Sequence, residues 1–225
     1  MPRPHSSPAD RFVDRHDAGI RLAQVLGPYL HGIPRDQVLL LGLARGGVAV
    51  AAEVGFTLGV PFDALVVRKI GSPFQPELAI GAVAPEGVRV YNRDLIAELG
   101  LSRESVARLT KEIDRDRDAL EAEILQGRPR PDMNGKTVVL VDDGLATGAS
   151  MRAALEYARN LAAQVIIAVP VASPDVMAAF EDLGVEVVAP LAVRDLGSVG
   201  KWYDRFDEVT TGQARRLLEP PPDEL

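Results

Sequence analysis

The residues best equipped for chemistry lie in one short loop, residues 142–150, which reads Asp-Asp-Gly-Leu-Ala-Thr-Gly-Ala-Ser. Four branched apolar residues, 138–141, precede it and predict a strand buried on both faces of a parallel sheet. Residues 151–161 follow with apolar side chains at helical spacing. A strand, a loop of small residues and a helix put this loop at the carboxyl end of a strand, where open α/β sheets bind ligands.

Small residues dominate the loop and favour the binding of an anion. Backbone N–H groups can converge on a ligand at the four residues with little or no side chain, Gly144, Ala146, Gly148 and Ala149. Thr147 and Ser150 add two hydroxyl donors. Each hydrogen bond to a charged group contributes about 1.5–3 kcal/mol, whereas a helix dipole contributes about 0.3–1 kcal/mol. The loop is therefore predicted to hold a phosphate mainly through hydrogen bonds.

Two adjacent carboxylates, Asp142 and Asp143, would repel a phosphate and so need a different partner. Carboxylates accept hydrogen bonds from sugar hydroxyls, and a nearby divalent cation would offset their charge. A phosphate, a diol and a metal ion together describe a ribose 5-phosphate. The alternative is a plain Asp-Asp-Gly turn between strand and helix, but such a turn does not need the Thr-Gly-Ala-Ser that follows.

Residues 138–150 resemble the phosphoribosyl-diphosphate (PRPP) binding motif of type I phosphoribosyltransferases, which has an apolar strand, two acidic residues, small residues and Thr-Gly-x-Thr/Ser. The resemblance implies that Asp142 and Asp143 are catalytic and hold the ribose 2′- and 3′-hydroxyls. It also implies Mg²⁺ as the cofactor, bound near these carboxylates through water and PRPP oxygens. The other PRPP-binding residues that it implies in this loop are Gly144, Leu145, Ala146, Thr147, Gly148, Ala149 and Ser150.

A second candidate segment, Ala44-Arg45-Gly46-Gly47, also follows a predicted buried strand. Its glycine spacing is not that of a dinucleotide fingerprint, and no Gly-Lys-Ser/Thr marks it as a P-loop. In type I phosphoribosyltransferases a short loop after the first core strand binds the diphosphate through backbone amides and often a basic side chain. The resemblance implies that Ala44, Arg45, Gly46 and Gly47 bind PRPP, with Arg45 as a catalytic, bidentate contact to the leaving diphosphate. An ordinary strand-to-helix turn is the alternative.

Two consecutive cations, Arg68 and Lys69, are predicted to end the second strand, before a short proline-rich segment at residues 70–76. Members of the family carry a mobile loop in this region with basic residues at its base. The resemblance implies that Arg68 and Lys69 bind PRPP and that Lys69 helps to neutralise the departing diphosphate. A solvated basic turn is the alternative, and the shortness of the segment argues against a large closing lid.

The segment at residues 193–209 is the candidate for binding the acceptor. In this family the hood that binds the acceptor base is built from terminal segments. Trp202, the only tryptophan of the chain, lies beside Tyr203 and could stack on a planar base. Equally, Trp202 and Phe206 could pin the carboxyl-terminal segment to the core, and the sequence leaves both alternatives open.

Composition limits the classes of partner. The formal net charge of −7 disfavours a general nucleic-acid footprint. Apolar stretches are too short for a membrane helix, residues 1–10 lack the apolar core of a signal peptide, and the chain has no cysteine. We therefore expect a cytoplasmic protein that binds neither nucleic acid nor membranes. A homodimer is also expected, although composition does not bear on it. The three histidines show no ligand spacing and are assigned no catalytic role.

Around these residues the pattern alternates between strands and helices. Strands are predicted at residues 38–43, 62–67, 136–141, 165–171 and 185–188, with a hairpin at 77–91. Helices are predicted at residues 16–30, 47–58, 93–99, 102–126, 151–161 and 175–183. This order predicts an α/β fold with a doubly wound, mostly parallel sheet flanked by helices, as in type I phosphoribosyltransferases, with a small hood and a long charged helix.

One domain is expected over residues 11–218, with hood or insert segments at about 70–131 and 193–209. Residues 1–10 and 219–225 are expected to be disordered tails. The charged helix at 102–126 could be a dimer arm, a lid or an exposed helix held by ion pairs between residues four apart, and the last is preferred.

The predicted function is transfer of a 5-phosphoribosyl group from Mg-PRPP to an acceptor, a nitrogen of a planar heterocycle, with release of diphosphate. The main alternative is a regulatory protein that binds PRPP without transferring it. Retention of Arg45 and Arg68-Lys69, which would serve the leaving group, favours an enzyme. A hydrolytic activity on ribose phosphates is a third option, but it would need a positioned water that the sequence does not indicate.

Overall fold

The computed structural model describes residues 11–219 and has a five-stranded parallel sheet at its centre. The strands, in chain order, are β1 (Val38–Leu43), β2 (Phe62–Leu65), β3 (Arg68–Gly71), β4 (Ala79–Val83), β5 (Arg89–Tyr91), β6 (Thr137–Val141), β7 (Gln164–Ala168), β8 (Val171–Ala172), β9 (Glu186–Val188) and β10 (Leu191–Ala192). The α-helices are α1 (Arg15–Leu26), α2 (Gly46–Leu58), α3 (Arg93–Glu98), α4 (Arg103–Leu125), α5 (Ala149–Arg159), α6 (Pro174–Glu181) and α7 (Thr211–Leu218). Glu219 directly follows α7, and the rest of both predicted tails lies outside the described residues.

The central sheet confirms the predicted architecture. Its strand order is β2-β1-β6-β7-β9, and every neighbouring pair is parallel. β1 and β6 are neighbours inside the sheet, and all their residues are buried. Their register pairs Gly42 with Val141, so the two strands end side by side. The loops that follow β1 and β6 therefore start at neighbouring positions on the carboxyl edge of the sheet.

Helices cover both faces of this sheet, which explains the unbroken apolar runs of β1 and β6. On one face Leu40 lies in the same core cluster as Leu22 of α1 and Val50 of α2. On the other face Leu41 lies in a core cluster with Ala154 of α5. Because α2 and α5 are the next elements after β1 and β6, the packing that buries these strands and helices also fixes both ends of each connecting loop.

β3, β4 and β5 form a separate antiparallel sheet with β4 in the middle, and the predicted hairpin is part of it. The prediction of one strand over residues 62–67 that ends in Arg68-Lys69 is wrong, because β2 ends at Leu65 and the two cations begin β3. Val66 and Val67 are both buried, but in different core clusters. The chain thus leaves the central sheet within an apolar run that reads as one continuous strand.

The long helix α4 is exposed on one side and packed on the other, so the expectation of an exposed helix is correct for only part of its surface. Its apolar residues pack against the second sheet. In this cluster the sheet contributes Ile70, Ile80 and Val83, and the helix contributes Val106, Leu109 and Ile113. The three helix residues recur at spacings of three and four, a stripe that the high charge of the segment hides. The i,i+4 ion pair between Arg117 and Glu121 is present at 3.2 Å, but with the Arg117 side chain almost fully buried.

Prolines account for two further differences from the predicted elements. α1 ends at Leu26 and is followed by a 3-10 turn that contains Pro28, so the predicted helix over residues 16–30 is too long. The predicted strand at 165–171 is divided into β7 and β8 around Pro170, which has no N–H to donate. None of the helices between residues 11 and 219 is long and apolar enough to cross a membrane.

The close packing of α2 on β6 predicts that Gly47 tolerates no side chain. A Cβ at this position would lie 2.5 Å from the Val141 carbonyl oxygen and 2.9 Å from the Asp142 Cα. We expect Gly47→Ala to lower the free energy of unfolding by about 1–3 kcal/mol, the usual cost of overpacking. Thermal and denaturant unfolding would measure this loss.

The control is Gly27→Ala, where the new Cβ would meet only Leu58 Cδ2 at 3.6 Å, an ordinary contact. The backbone of Gly27 is already helical, with φ −49°, so alanine should be neutral or slightly stabilising there. Equal unfolding midpoints for the two variants would contradict the packing described for Gly47.

Candidate functional site

Two loops meet at the carboxyl edge of the central sheet. We call residues 44–47, after β1, the glycine loop and residues 142–150, after β6, the acidic loop. A Cβ on Gly46 would lie 2.0 Å from Asp143 Oδ2, and one on Gly47 would collide with the backbone of Val141 and Asp142. The two glycines are therefore required for the loops to touch. The sequence-predicted residues of both loops are brought together in one site.

The glycine loop carries one cation, Arg45, at the start of α2. The peptide bond between Ala44 and Arg45 is cis, and Arg45 is the N-cap residue of the helix. Its guanidinium is paired with the carboxylate of Glu208, which belongs to the segment before α7. Arg45 thus lies where an anion at the start of α2 could contact both its side chain and backbone N–H groups of the first helical turn.

Asp143 is held from three directions. Its Oδ2 accepts hydrogen bonds from Arg15 Nε at 3.0 Å and Arg15 Nη2 at 2.8 Å. Its backbone carbonyl accepts a hydrogen bond of 2.6 Å from the Tyr203 hydroxyl. Its backbone N–H donates to Asp142 Oδ1 at 2.9 Å. These bonds fix both the side chain and the backbone of Asp143, and they connect it to α1 and to the carboxyl-terminal segment.

The acidic pair has perturbed electrostatics. Burial raises the pKa of Asp142 well above its usual range, and the charge of Asp143 raises it further. Lys69 and Arg15 favour the ionised carboxylate but offset only part of this cost. Burial, followed by the charge of Asp143, also raises the pKa of Tyr203, which keeps its hydroxyl protonated as a donor. A perturbed carboxylate at the edge of a sheet is typical of a functional site.

The rest of the acidic loop forms a cradle at the start of α5. Leu145 is buried, and its N–H donates to the Val171 carbonyl of β8 at 2.8 Å, which fastens the loop to this short strand. Gly148 has a φ of +75°, and a Cβ there would lie 2.8 Å from the Phe180 ring. Glycine is thus required just before α5 begins. Thr147 is exposed beside it, where its hydroxyl can reach a ligand.

A cavity of about 530 Å³ lies beside this cradle. Thr147 and Ala149 form part of its wall, Arg152 of α5 adds a cation, and Tyr91 and Asn92 line the side of the second sheet. The guanidinium of Arg152 lies 5.0 Å from the centre of the Phe180 ring. A ligand at the acidic loop would thus have room on this side of the cradle.

The remaining predicted residues lie at the rim. Lys69 is exposed at the start of β3, yet close enough for its charge to lower the pKa of Asp142. Arg68 is exposed beside it, and its role stays a prediction. Tyr203 is buried between Phe12 and Phe206. This residue therefore anchors the carboxyl-terminal segment to the core rather than presenting its ring for stacking on a base. Trp202 is half-buried, and its Nε1 donates to the Leu196 carbonyl at 3.0 Å.

Two charged residues of the site were missed by reasoning from sequence. Arg15 reaches Asp143 across 128 positions of sequence, and Glu208 reaches Arg45 across 163. Neither residue is part of a motif, and no local pattern could have found them. Arg15 and Glu208 reach the site only because both ends of the described chain fold over the same edge of the sheet.

The donor set suits a hard cation that is bound mainly by its ligand. Asp142 and Asp143 offer carboxylate oxygens, the donors that Mg²⁺ prefers. Among residues 11–219 no group of three or more histidine, aspartate or glutamate side chains could hold a metal ion by itself. A magnesium ion would therefore depend on the oxygens of a phosphorylated ligand and water for most of its coordination, as Mg²⁺ commonly does.

Comparison with known proteins found similar sequences and similar structures. A sequence model of the phosphoribosyl transferase domain matches residues 12–177. A Mycobacterium tuberculosis H37Rv protein, whose provisional name is phosphoribosyl transferase Rv0571c, is 39% identical over 217 residues, which cover 92% of this chain and 46% of that protein. The chain thus spans about half the length of the curated relatives that it matches.

Two solved structures are similar to this chain. The crystal structure of TT1426 from Thermus thermophilus is 40% identical in sequence, with a TM-score of 0.73, and the match covers 92% of this chain and 97% of that chain. AQ2163 from Aquifex aeolicus is 12% identical with a TM-score of 0.50, and the match covers 79% of this chain and 74% of that chain. The second likeness concerns the fold alone.

The raised pKa of Asp142 predicts that its charge destabilises the fold at neutral pH. The pKa of Asp142 is higher in the folded protein than its unfolded value of 3.8, so protonated Asp142 favours the folded state. This stabilisation is fully present below pH 3.8 and is lost as the pH rises through the folded pKa. Asp142→Asn keeps an acceptor for the Asp143 N–H but carries no charge. We expect it to raise the unfolding temperature at pH 7, by about 2–4 °C for each kcal/mol relieved, and to change it little near pH 4.

Thermal unfolding between pH 4 and pH 8 checks this expectation. The exposed Asp36→Asn serves as the control and should show no such pH-dependent gain. An Asp142→Asn protein that unfolds at a lower temperature than the wild type at pH 7 would contradict the electrostatic cost assigned to Asp142.

Proposed function

The chain belongs to the phosphoribosyl transferase family, and from this premise we propose that it transfers a 5-phosphoribosyl group from PRPP to an acceptor nucleophile with release of diphosphate. The observation that carries the proposal is the contact between the two loops, with Gly46 directly against Asp143. It supports the proposal because the start of α2, which is suited to an anion, lies close to the acidic pair at the beginning of the proposed 5′-phosphate loop. PRPP carries a diphosphate, a diol and a 5′-phosphate in the same spatial order along the molecule.

The residues divide into three binding roles under this proposal. Asp142 and Asp143 accept hydrogen bonds from the ribose 2′- and 3′-hydroxyls. The 5′-phosphate binds the rest of the acidic loop, at Gly144, Leu145, Ala146, Thr147, Gly148, Ala149 and Ser150. The diphosphate binds the glycine loop, at Ala44, Arg45, Gly46 and Gly47, with Arg68 and Lys69 at the rim. As the bond at the anomeric carbon breaks, Arg45 and Lys69 stabilise the negative charge of the leaving diphosphate.

Mg²⁺ belongs to the proposal as the cofactor. The carboxylates of Asp142 and Asp143 fit it as hard oxygen donors, through water and PRPP oxygens. When bound, the ion offsets the combined charge of the diphosphate and the acidic pair. The loops of the chain hold the donor in one geometry, which lowers the entropic part of the barrier.

The acceptor is proposed to be a small planar heterocycle that attacks through a nitrogen, with Trp202 in the wall of its site and the buried Tyr203 behind it. Trp202 supports this because it is half-buried rather than fully enclosed. Tyr203 would contribute indirectly, through its hydrogen bond to the Asp143 carbonyl. The same proposal includes a single domain over residues 11–218 and a homodimer. It also includes a cytoplasmic location and no nucleic-acid or membrane partners. The net charge of −7 supports the exclusion of nucleic acid.

A PRPP-binding regulator without transferase activity is the alternative. It would use the same loops to bind the donor, but it would not need cations for a leaving diphosphate. Arg45 lies at the start of α2 in the glycine loop, and the charge of Lys69 acts on Asp142, so the positions of these two cations support transfer over binding alone.

Isothermal titration with PRPP, with and without Mg²⁺, tests the proposal when it is followed by an assay of diphosphate release across a panel of nucleobases. Mg-dependent binding and release with one base would support the transferase and identify its acceptor. Binding without release for any base would favour the regulator. A protein that binds no PRPP would contradict both.

Thr147→Val should weaken PRPP binding, because it removes one hydroxyl donor from the proposed phosphate cradle and changes little in size. A hydrogen bond to a charged group contributes about 1.5–3 kcal/mol, so we expect a loss of affinity of about tenfold or more. The control is Thr57→Val, an equally conservative change at an exposed position of α2. Calorimetry should give wild-type affinity for the control, and the same affinity in Thr147→Val would contradict the phosphate cradle.

Glu208→Gln should strengthen diphosphate binding, because Glu208 and a diphosphate would compete for the Arg45 guanidinium. The Glu208 side chain is 76% exposed, and an exposed ion pair contributes about 0.2–1 kcal/mol, which limits the gain to about fivefold. Titration with diphosphate measures the change, and Glu181→Gln on α6, with the same change of charge, is the control. Weaker diphosphate binding in Glu208→Gln than in the control would contradict the role given to Arg45.

A further inference from the structure

The Arg15 side chain, at the start of α1, is held by hydrogen bonds to two distant segments and by a stacked aromatic ring. Two of its nitrogens donate to Asp143 Oδ2, at 3.0 and 2.8 Å, and Nη1 donates to the Asp207 carbonyl at 2.6 Å. The Phe206 ring covers the guanidinium face, 4.0 Å from its carbon atom. The Arg15 side chain is only 13% exposed and that of Asp143 17%. All three guanidinium nitrogens thus donate a hydrogen bond, and one face of the group is covered by a ring.

This arrangement determines where the Asp143 carboxylate points. Both hydrogen bonds from Arg15 fall on the same oxygen, Oδ2, so Arg15 does not occupy Oδ1. The absence of a side chain on Gly46 leaves room for Oδ2 beside the glycine loop. Without a counter-charge, two adjacent carboxylates repel each other, and Asp143 would turn away from Asp142. Arg15 supplies that counter-charge in a fixed direction, because its planar fork is rigid.

We propose that Arg15 is a positioning residue that orients the Asp143 carboxylate toward the ribose hydroxyls of the donor. The inference rests on the proposed function and deepens it, because Arg15 lies outside both loops. Arg15 need not touch PRPP itself, since its effect passes through Asp143. Arg15 belongs to α1, and its guanidinium is held in place by Phe206 and Asp207 of the carboxyl-terminal segment. Both terminal segments of the described chain therefore help to orient Asp143.

A second arginine provides a matched control for a purely structural effect. Arg205 pairs with Asp14 at 2.5 Å, and this pair joins the same two segments as Arg15 and Asp207. Arg205 contacts Asp14 at the start of α1, and its side chain is 67% exposed. Loosening of the junction between the segments would therefore appear in Arg205→Gln as well, whereas loss of Asp143 orientation would appear only when Arg15 is changed.

The experiment is a double-mutant cycle on PRPP affinity, measured by isothermal titration in the presence of Mg²⁺. The proteins are the wild type, Arg15→Gln, Asp143→Asn, the Arg15→Gln/Asp143→Asn double variant and Arg205→Gln. We expect Arg15→Gln to weaken PRPP binding about tenfold and Arg205→Gln to change it less than about twofold. In the Asp143→Asn background Arg15→Gln should have no further effect, because Arg15 acts only through the carboxylate.

Arg15→Lys guards against a variant that does not fold. It keeps the charge but loses the fork, so its PRPP affinity should lie between those of the wild type and Arg15→Gln. Thermal unfolding of every variant identifies any protein that is not folded at the temperature of titration. If Arg15→Gln is not folded, Arg15→Lys takes its place in the cycle.

Three results would overturn the inference while leaving the proposed function intact. The first is PRPP binding by Arg15→Gln that is unchanged or tighter. The second is an equal loss on changing Arg15 with and without the Asp143 carboxylate. The third is a loss in Arg205→Gln as large as that in Arg15→Gln. A wild-type protein that binds no PRPP would remove the proposed function and this inference together.

Discussion

The site depends on the close approach of two loops that follow neighbouring strands. Gly42 and Val141 are paired across β1 and β6, and beyond them Gly46 and Gly47 let the glycine loop lie against the backbone and carboxylate of the acidic loop. The buried strands determine the register, and the helices that start at the loops, α2 and α5, are held by the same packing. Core packing on both faces of the sheet therefore sets the distance between the two proposed anion sites.

That approach concentrates negative charge, and the rest of the site compensates for it. Asp142 and Asp143 are adjacent and half-buried, and burial together with mutual repulsion raises the pKa of Asp142. Arg15 pairs directly with Asp143, while Lys69 acts on Asp142 from the start of β3. The compensation is incomplete, and groups with strongly perturbed pKa values of this kind are common at functional sites.

Local patterns were sufficient for one part of the molecule and not for the other. The strand, loop and helix around Asp142 could be predicted because each depends on residues close in sequence, and so could the glycine loop. Arg15 and Glu208 could not, because their partners are fixed only when distant segments fold over the same edge of the sheet. The same limit explains Arg68-Lys69, which begin a second sheet within one apolar run, and α4, whose buried stripe is masked by its charge.

The most direct test of the central claim is a crystal structure of the protein with PRPP and Mg²⁺. Our account predicts the 5′-phosphate within hydrogen-bond distance of the backbone N–H groups of residues 146–150. It predicts the ribose hydroxyls on Asp142 and Asp143, and the diphosphate at the glycine loop beside Arg45. A donor bound elsewhere, for example in the cavity beside Arg152 with its ribose away from the acidic pair, would contradict it.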